Sequence, residues 1–309
     1  MIVLYCLVST LPVLAQDKGV VVDAEGRQVT LSTVVVRSGT NVPGFIKRVE
    51  QDTTFYKAFK NLRVLNYNSI NDVRMFNRKG KVEASMNSKT HQWASKSCRV
   101  TRVLEEQTTG DYYKPNGDFN YYTGELYASL FFSEDTLCGQ TNVIGDMQRN
   151  IKGKSGLDKH KEQLKMLFFN PGKDIPGIPL MGDKVMVFDP SHRDLYDWEI
   201  DIQDYKGKPA YLFHIRIKDN LSFYKRDDVV IDEMTTWFDY SSFEVLARNY
   251  KMSYNAGVYR FNVSMEVEIG KYGKYLYPKV IRYDGNWGVV VKGKERGLFT
   301  ATIYDLSLE

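Results

Sequence analysis

The chain has little of what most enzyme and metal sites need. Its 309 residues include three cysteines, nine prolines and four histidines. So few thiols exclude a disulfide-dense miniature scaffold. The histidines, His91, His160, His192 and His214, are scattered, and no C-x-x-C, H-E-x-x-H, G-x-S-x-G or glycine-rich phosphate loop occurs. The apolar run at 1–14 is too short to span a bilayer stably, and no later segment qualifies either. Charge of one sign is also lacking. Forty-two basic residues face 38 acidic ones, a net +4 with no Lys/Arg block, which argues against a nucleic-acid-binding stripe. The expectation is a non-enzyme with no catalytic residue, no metal and no cofactor.

Aromatic residues are abundant, with 21 Tyr and 16 Phe among them, a composition that favours strands. Residues 184–304 read as strand after strand. Trp198, Ile200 and Ile202 alternate with Asp197, Glu199 and Asp201; Phe261, Val263, Met265, Val267 and Ile269 alternate with Arg260, Asn262, Ser264, Glu266 and Glu268. A period of two puts the apolar set on one sheet face. The intervening turn-rich stretches, at 204–209, 255–257, 271–273, 284–285 and 293–297, leave no room for crossover helices. The predicted result is an antiparallel meander.

Before the meander the pattern is mixed. Residues 1–14 are nearly all apolar and Val13-Leu-Ala15 offers a cleavage site, so 1–15 is expected to be a signal peptide, without the usual basic start. Val20–Val22 and Val34–Val36 flank a turn cluster, making 16–40 an extended arm or hairpin suited to covering an open sheet edge. Residues 41–309 are expected to form the main domain. From Pro43 a helical pattern carries Phe45, Ile46 and Val49, then Phe55, Phe59 and Leu62, with Asp52 as a cap. It reads equally as a core helix or as a plug over a ligand cavity. Strands follow at 73–76 and 82–86 around an Asn77–Gly80 turn, then at 93–104 and 119–132. The Asn116-Gly-Asp118 segment reads as a tight turn rather than a calcium loop. A second helix is expected over 155–169, capped by Asp158 and ended by Pro171-Gly172.

With the leader removed, Cys98 and Cys138 remain, and neither has a His or Cys close by. A disulfide is favoured over two buried thiols or a half-built metal site. Like-facing carboxylates on 197–204 stand ~7 Å apart along a strand, compatible with cation binding or glycosidase chemistry. A solvated sheet face produces the same pattern without function.

The segment Lys184-Val-Met-Val-Phe-Asp-Pro190 resembles the strand ending in Asp-Pro of the periplasmic lipoprotein-carrier fold of LolA and its relatives. Residues 235–250, a hydrophobic strand that ends in Asp, turns and returns, resemble a hairpin of the same fold. Residues 52–61, 159–172 and 283–288 look like an uncharacterised secreted family of bacteria with outer membranes. The resemblance implies a mainly β (α+β) protein, an incomplete β-barrel whose concave face is covered by two or three helices. It also implies an exported protein of the periplasm or outer membrane, peripheral to the membrane at most. Its partner is expected to be an acyl chain, lipid or lipoprotein, with Phe55, Phe59, Phe261, Met265 and Ile269 lining the cavity. The alternatives are a self-filled accessory of an outer-membrane protein complex and, third, a secreted hydrolase.

Overall fold

A computed structural model describes residues 20–22, 28–30, 34–36, 41–95, 98–131, 135–139, 166–172, 183–255, 259–289 and 293–308. Val20–Val22 (β1) pairs antiparallel with Gln28–Thr30 (β2), and Val34–Val36 (β3) lies parallel to Trp198–Ile200. The long strands are Asn66–Phe76 (β4), Val82–Ser95 (β5), Cys98–Thr109 (β6), Tyr196–Tyr205 (β8), Lys208–Ile217 (β9), Ile231–Asp239 (β10), Val245–Asn255 (β11), Tyr259–Tyr272 (β12), Tyr275–Val289 (β13) and Gly293–Ser307 (β14). Leu137–Cys138 (β7) is a short edge piece. They form one open sheet in the order β3-β8-β9-β10-β11-β12-β13-β14-β4-β5-β6-β7. From β8 to β7 every neighbour is antiparallel. The last strand pairs with the first long one, so the two ends of the chain build one continuous incomplete barrel.

Helices cover its concave face. Val42–Gln51 (α1) starts on Asn41, whose side chain accepts the Gly44 amide, and buries Phe45, Ile46 and Val49. Asp52 then accepts the Thr54 amide and hydroxyl at the head of Thr54–Asn61 (α2), which buries Phe55, Ala58 and Phe59. Residues 166–169 are helical and buried, and Gly172, at φ +83°, follows them. The rest of the expected 155–169 helix, with Asp158, falls outside the described residues, as do 1–19.

Several sequence expectations are corrected. The 93–104 stretch is a reversal: Ser95 pairs with Cys98 and Trp93 with Val100, across two strands. The 119–132 stretch is a helix, Tyr122–Phe131 (α3), in which Tyr127 is fully buried. Its apolar residues run nearly all round, and a helix of that kind has lost the 3.6-residue contrast. Residues 184–190 form no strand. Asp183–Val185 is a 3-10 turn, and Asp189 accepts the Ser191 amide to cap a helical turn at Pro190–Arg193. Asp-Pro here starts a helix, because proline is pre-set for the first helical position.

Residues 284–285 and 293–297, expected as turns from their glycines, lie within strands β13 and β14. Gly285 and Gly297 are cross-strand partners. A Cβ on Gly297 would strike the Thr123 side chain, and one on Gly285 would strike the Tyr283 hydroxyl. These glycines admit a helix and an aromatic ring to close approach and do not turn the chain.

Candidate functional site

The concave face is the natural place for a ligand, since alternation loads it with apolar side chains. Phe45 of α1 meets Tyr211 and Phe213 of β9 and Phe243 of the β10–β11 turn at ring distances of 5.4–6.3 Å. Over β11 to β13, Phe55 and Phe59 of α2 pack on each other, on Tyr250 and on Phe169. The Tyr250 hydroxyl donates to the Phe168 carbonyl at 2.7 Å, and the Phe168 ring meets Tyr283. On β14, Tyr127 and Phe131 of α3 pack against Phe299. Among the described residues, α1, α2, the 166–169 segment and α3 therefore share one apolar surface.

The five residues expected to line a cavity separate along this surface. Phe55, Phe59 and Met265 are 1%, 4% and 2% exposed within the main core. Met265 lies between its strand partners Tyr250 and Tyr283. Ile269 is half-buried beside a bulge after Glu268. Phe261, at the opposite end of β12, touches a cleft of about 1090 Å³ formed at the strand ends.

Two polar features of the concave face escaped the sequence reading. Arg248 points inward beside Tyr250, 3% exposed, donates to Thr236 Oγ1 at 2.9 Å and lies over the Phe55 ring. Burial pulls its pKa down to about 10, with the Asp52 carboxylate opposing. The second is a buried polar stripe on β4 and β5. Ser69 donates to Asn71, Asn71 reaches Ser88 and Thr90, and Gln92 donates to the Leu62 and Leu65 carbonyls. Its signal was in register: residues 69, 71, 88, 90 and 92 share the inward alternation of Val73, Met75, Ala84 and Met86.

Polar groups also fix the covers. Glu295 accepts the Tyr122 and Thr123 amides and the Thr123 hydroxyl, capping α3. Asn61 donates to the Leu276 carbonyl, and the Val245 amide donates to Thr54 Oγ1, tying α2 at both ends. The edge strand β6 is tied by a disulfide between Cys98 and Cys138, which face each other across β6 and β7.

The acidic face of β8 lies on the other side of the sheet. Asp197 and Glu199 stand opposite Arg216 and His214, while Asp201 and Asp204 accept nearby amides. His214 is hydrogen-bonded to Thr235 at 2.8 Å. Among the described residues, no group of three or more His, Cys, Asp or Glu could hold a metal ion. Nor is any described helix long and apolar enough to cross a membrane.

No family model and no curated protein matches the chain. Among solved structures, its fold is similar to an outer membrane lipoprotein-sorting protein domain. That domain, from Vibrio parahaemolyticus, is 9% identical, with 83% of this chain and 92% of the domain covered, at a TM-score of 0.28. A DUF1329 family protein from Desulfovibrio piger is 10% identical with the same coverage and a TM-score of 0.27. A structure of lipid–protein interactions in lipovitellin is 6% identical over 79% of this chain and 25% of its own, at 0.30. At these scores the likenesses carry no argument about function, and the half-barrel rests on the sheet itself.

Proposed function

We propose that this is a non-enzymatic envelope protein that binds a hydrophobic ligand (an acyl chain, a lipid or the lipid of a lipoprotein) against the concave face of the half-barrel. The observation that carries this reading is the way the interior is closed. The sheet does not close on itself; separate short helices cover its apolar face. α2 rests on that face through Phe55 and Phe59 and is tied by hydrogen bonds near its ends, from Asn61 to the Leu276 carbonyl and from the Val245 amide to Thr54. Displacing it would expose the Met265 surface to an acyl chain, with Phe261 at one end and Ile269 at the other. Pockets for such ligands are mostly apolar with a few orienting polar groups, and Arg248 with Thr236 would supply them here. Export belongs to the same proposal and is supported by the Cys98–Cys138 disulfide, since such bonds persist in oxidising compartments.

A second reading, a self-filled accessory of an outer-membrane complex, is favoured by the near-complete burial of Phe55, Phe59 and Met265. Titration with a fluorescent long-chain fatty acid separates the two. The carrier reading expects saturable binding, retained in Met265→Leu and lost in a folded Met265→Arg. A wild-type chain that shows no saturable binding would leave the self-filled reading.

A further inference from the structure

The cleft at the strand ends differs in chemistry from the apolar interior. Phe261 and Trp287 touch it but are 4% and 3% exposed, so they give it little surface. Its exposed side chains stand on the sheet face opposite the core, in two adjacent cross-strand rows. In one, Arg260 on β12, Gly288 on β13 and Lys294 on β14 are successive partners. Gly288 leaves the space that Arg260 occupies: a Cβ there would lie 2.6 Å from Arg260 Nε. In the next row, Asn262, Asn286, Arg296 and Phe76 follow one another, with the Arg296 guanidinium 5.0 Å from the Phe76 ring centroid. Arg78, from the adjoining β4–β5 turn, adds a further cation.

Charge balance decides what fits. Five cations, Arg78, Arg226, Arg260, Lys294 and Arg296, line the cleft against two acids, Asp227 and Glu295, while the whole chain has 42 against 38. Glu295 is already taken up by the α3 amides and hydroxyl. Arg226 is held by Asp232, and Arg296 pairs with Asp284 at 3.3 Å. Among the described residues, Arg78, Arg260, Lys294, Asn262 and Asn286 have no side-chain hydrogen-bond or ion-pair partner. Guanidinium forks, an ammonium and amide donors on one surface match a group with several anionic oxygens. The volume exceeds what a bare inorganic anion needs and lies just above the usual range of small-molecule sites, about 300–1,000 Å³.

We propose that this cleft binds the phosphate ester of a small organic anion, such as the headgroup of an anionic phospholipid. The site stands apart from the concave face and holds whether or not that face takes an acyl chain.

Two probes distinguish the source: phosphatidylcholine vesicles with and without phosphatidylglycerol, and soluble sn-glycerol 3-phosphate. The comparison uses the full chain, the triple variant Arg78→Gln, Arg260→Gln, Lys294→Gln, and the control Lys57→Gln, Arg102→Gln, Lys279→Gln, which changes net charge equally elsewhere. All three cleft residues are exposed and have no side-chain partner among the described residues, so the cleft variant should keep its circular dichroism spectrum and melting temperature. Binding confined to phosphatidylglycerol vesicles assigns a membrane lipid headgroup; binding of glycerol 3-phosphate as well assigns a soluble phosphoester. In either case the cleft variant should bind more weakly by roughly a hundredfold while the control binds normally. Equal loss in both variants, or binding of neither probe by the wild type, overturns the proposal.

Discussion

The guanidinium carbon of Arg248 lies 4.5 Å from the centroid of the Phe55 ring, inside the half-barrel. An arginine from the sheet and a phenylalanine from α2 thus meet where alternation alone would place two apolar groups. A desolvated contact of this kind contributes about 2 kcal/mol. It offsets only part of the cost of burying the charge.

Phe55→Ala should therefore destabilise the chain by about 3–5 kcal/mol, through lost burial, a cavity and an uncovered Arg248. Arg248→Met keeps most of the volume and should cost under about 2 kcal/mol, chiefly through the Thr236 hydroxyl losing its donor. Urea titrations of both variants check the order. An Arg248→Met variant less stable than Phe55→Ala would show that the arginine organises the core rather than being tolerated in it.

β12 was legible because its alternation is strict: Phe261, Val263, Met265 and Val267 are all buried as their spacing required. On β8 the same pattern held for Trp198 and Ile200 but not for Ile202, which is exposed towards the strand's end. The hairpin at 235–250 was legible as well, since Asp239 accepts the Ser241 and Ser242 amides and closes it. Arg248 was not, because a charged side chain at an inward position reads as a solvent-facing one. The same holds for Asn71 and Gln92, whose burial depends on partners remote in sequence. Glycine was ambiguous for a physical reason: Gly285 and Gly297 lack Cβ to admit neighbours, as Gly207, at φ +84°, does to turn the chain.

Close packing of α3 on the sheet should be sensitive at one atom. Gly297→Ala places a methyl group against the Thr123 side chain, and overpacking of this kind costs about 1–3 kcal/mol. Pairing it with Thr123→Ala should recover part of that loss. A double-mutant cycle that shows strict additivity would mean that α3 does not press on β14.

Alkaline pH should unfold the protein steeply. Burial raises the Tyr67 pKa to about 12 and also pushes up those of Tyr127, Tyr250 and Tyr283. A raised folded-state value means that this stability is fully present below the unfolded value near 10. It is lost as pH rises through the folded values, on the order of 2–3 kcal/mol for Tyr67 alone. Tyrosinate absorbance should then rise together with loss of circular dichroism. Full titration of all tyrosines near pH 10 with the fold intact would contradict this.

Removing the Cys98–Cys138 bond should cost about 2–4 kcal/mol, by releasing a cross-link over a sequence separation of 40. Cys138→Ser is the variant to measure. Thiol labelling of denatured, unreduced protein from an oxidising compartment should find neither cysteine free; two reactive thiols there would contradict the bond.

Native mass spectrometry of the full chain, purified from cells without lipid stripping, tests ligand carriage most directly. A hydrophobic-ligand carrier should fly as a species heavier than the bare chain by the mass of a lipid or acyl compound. Solvent extraction should return it to the bare mass and release that compound. A folded chain of bare mass only, unchanged after incubation with lipid, would contradict the carrier reading.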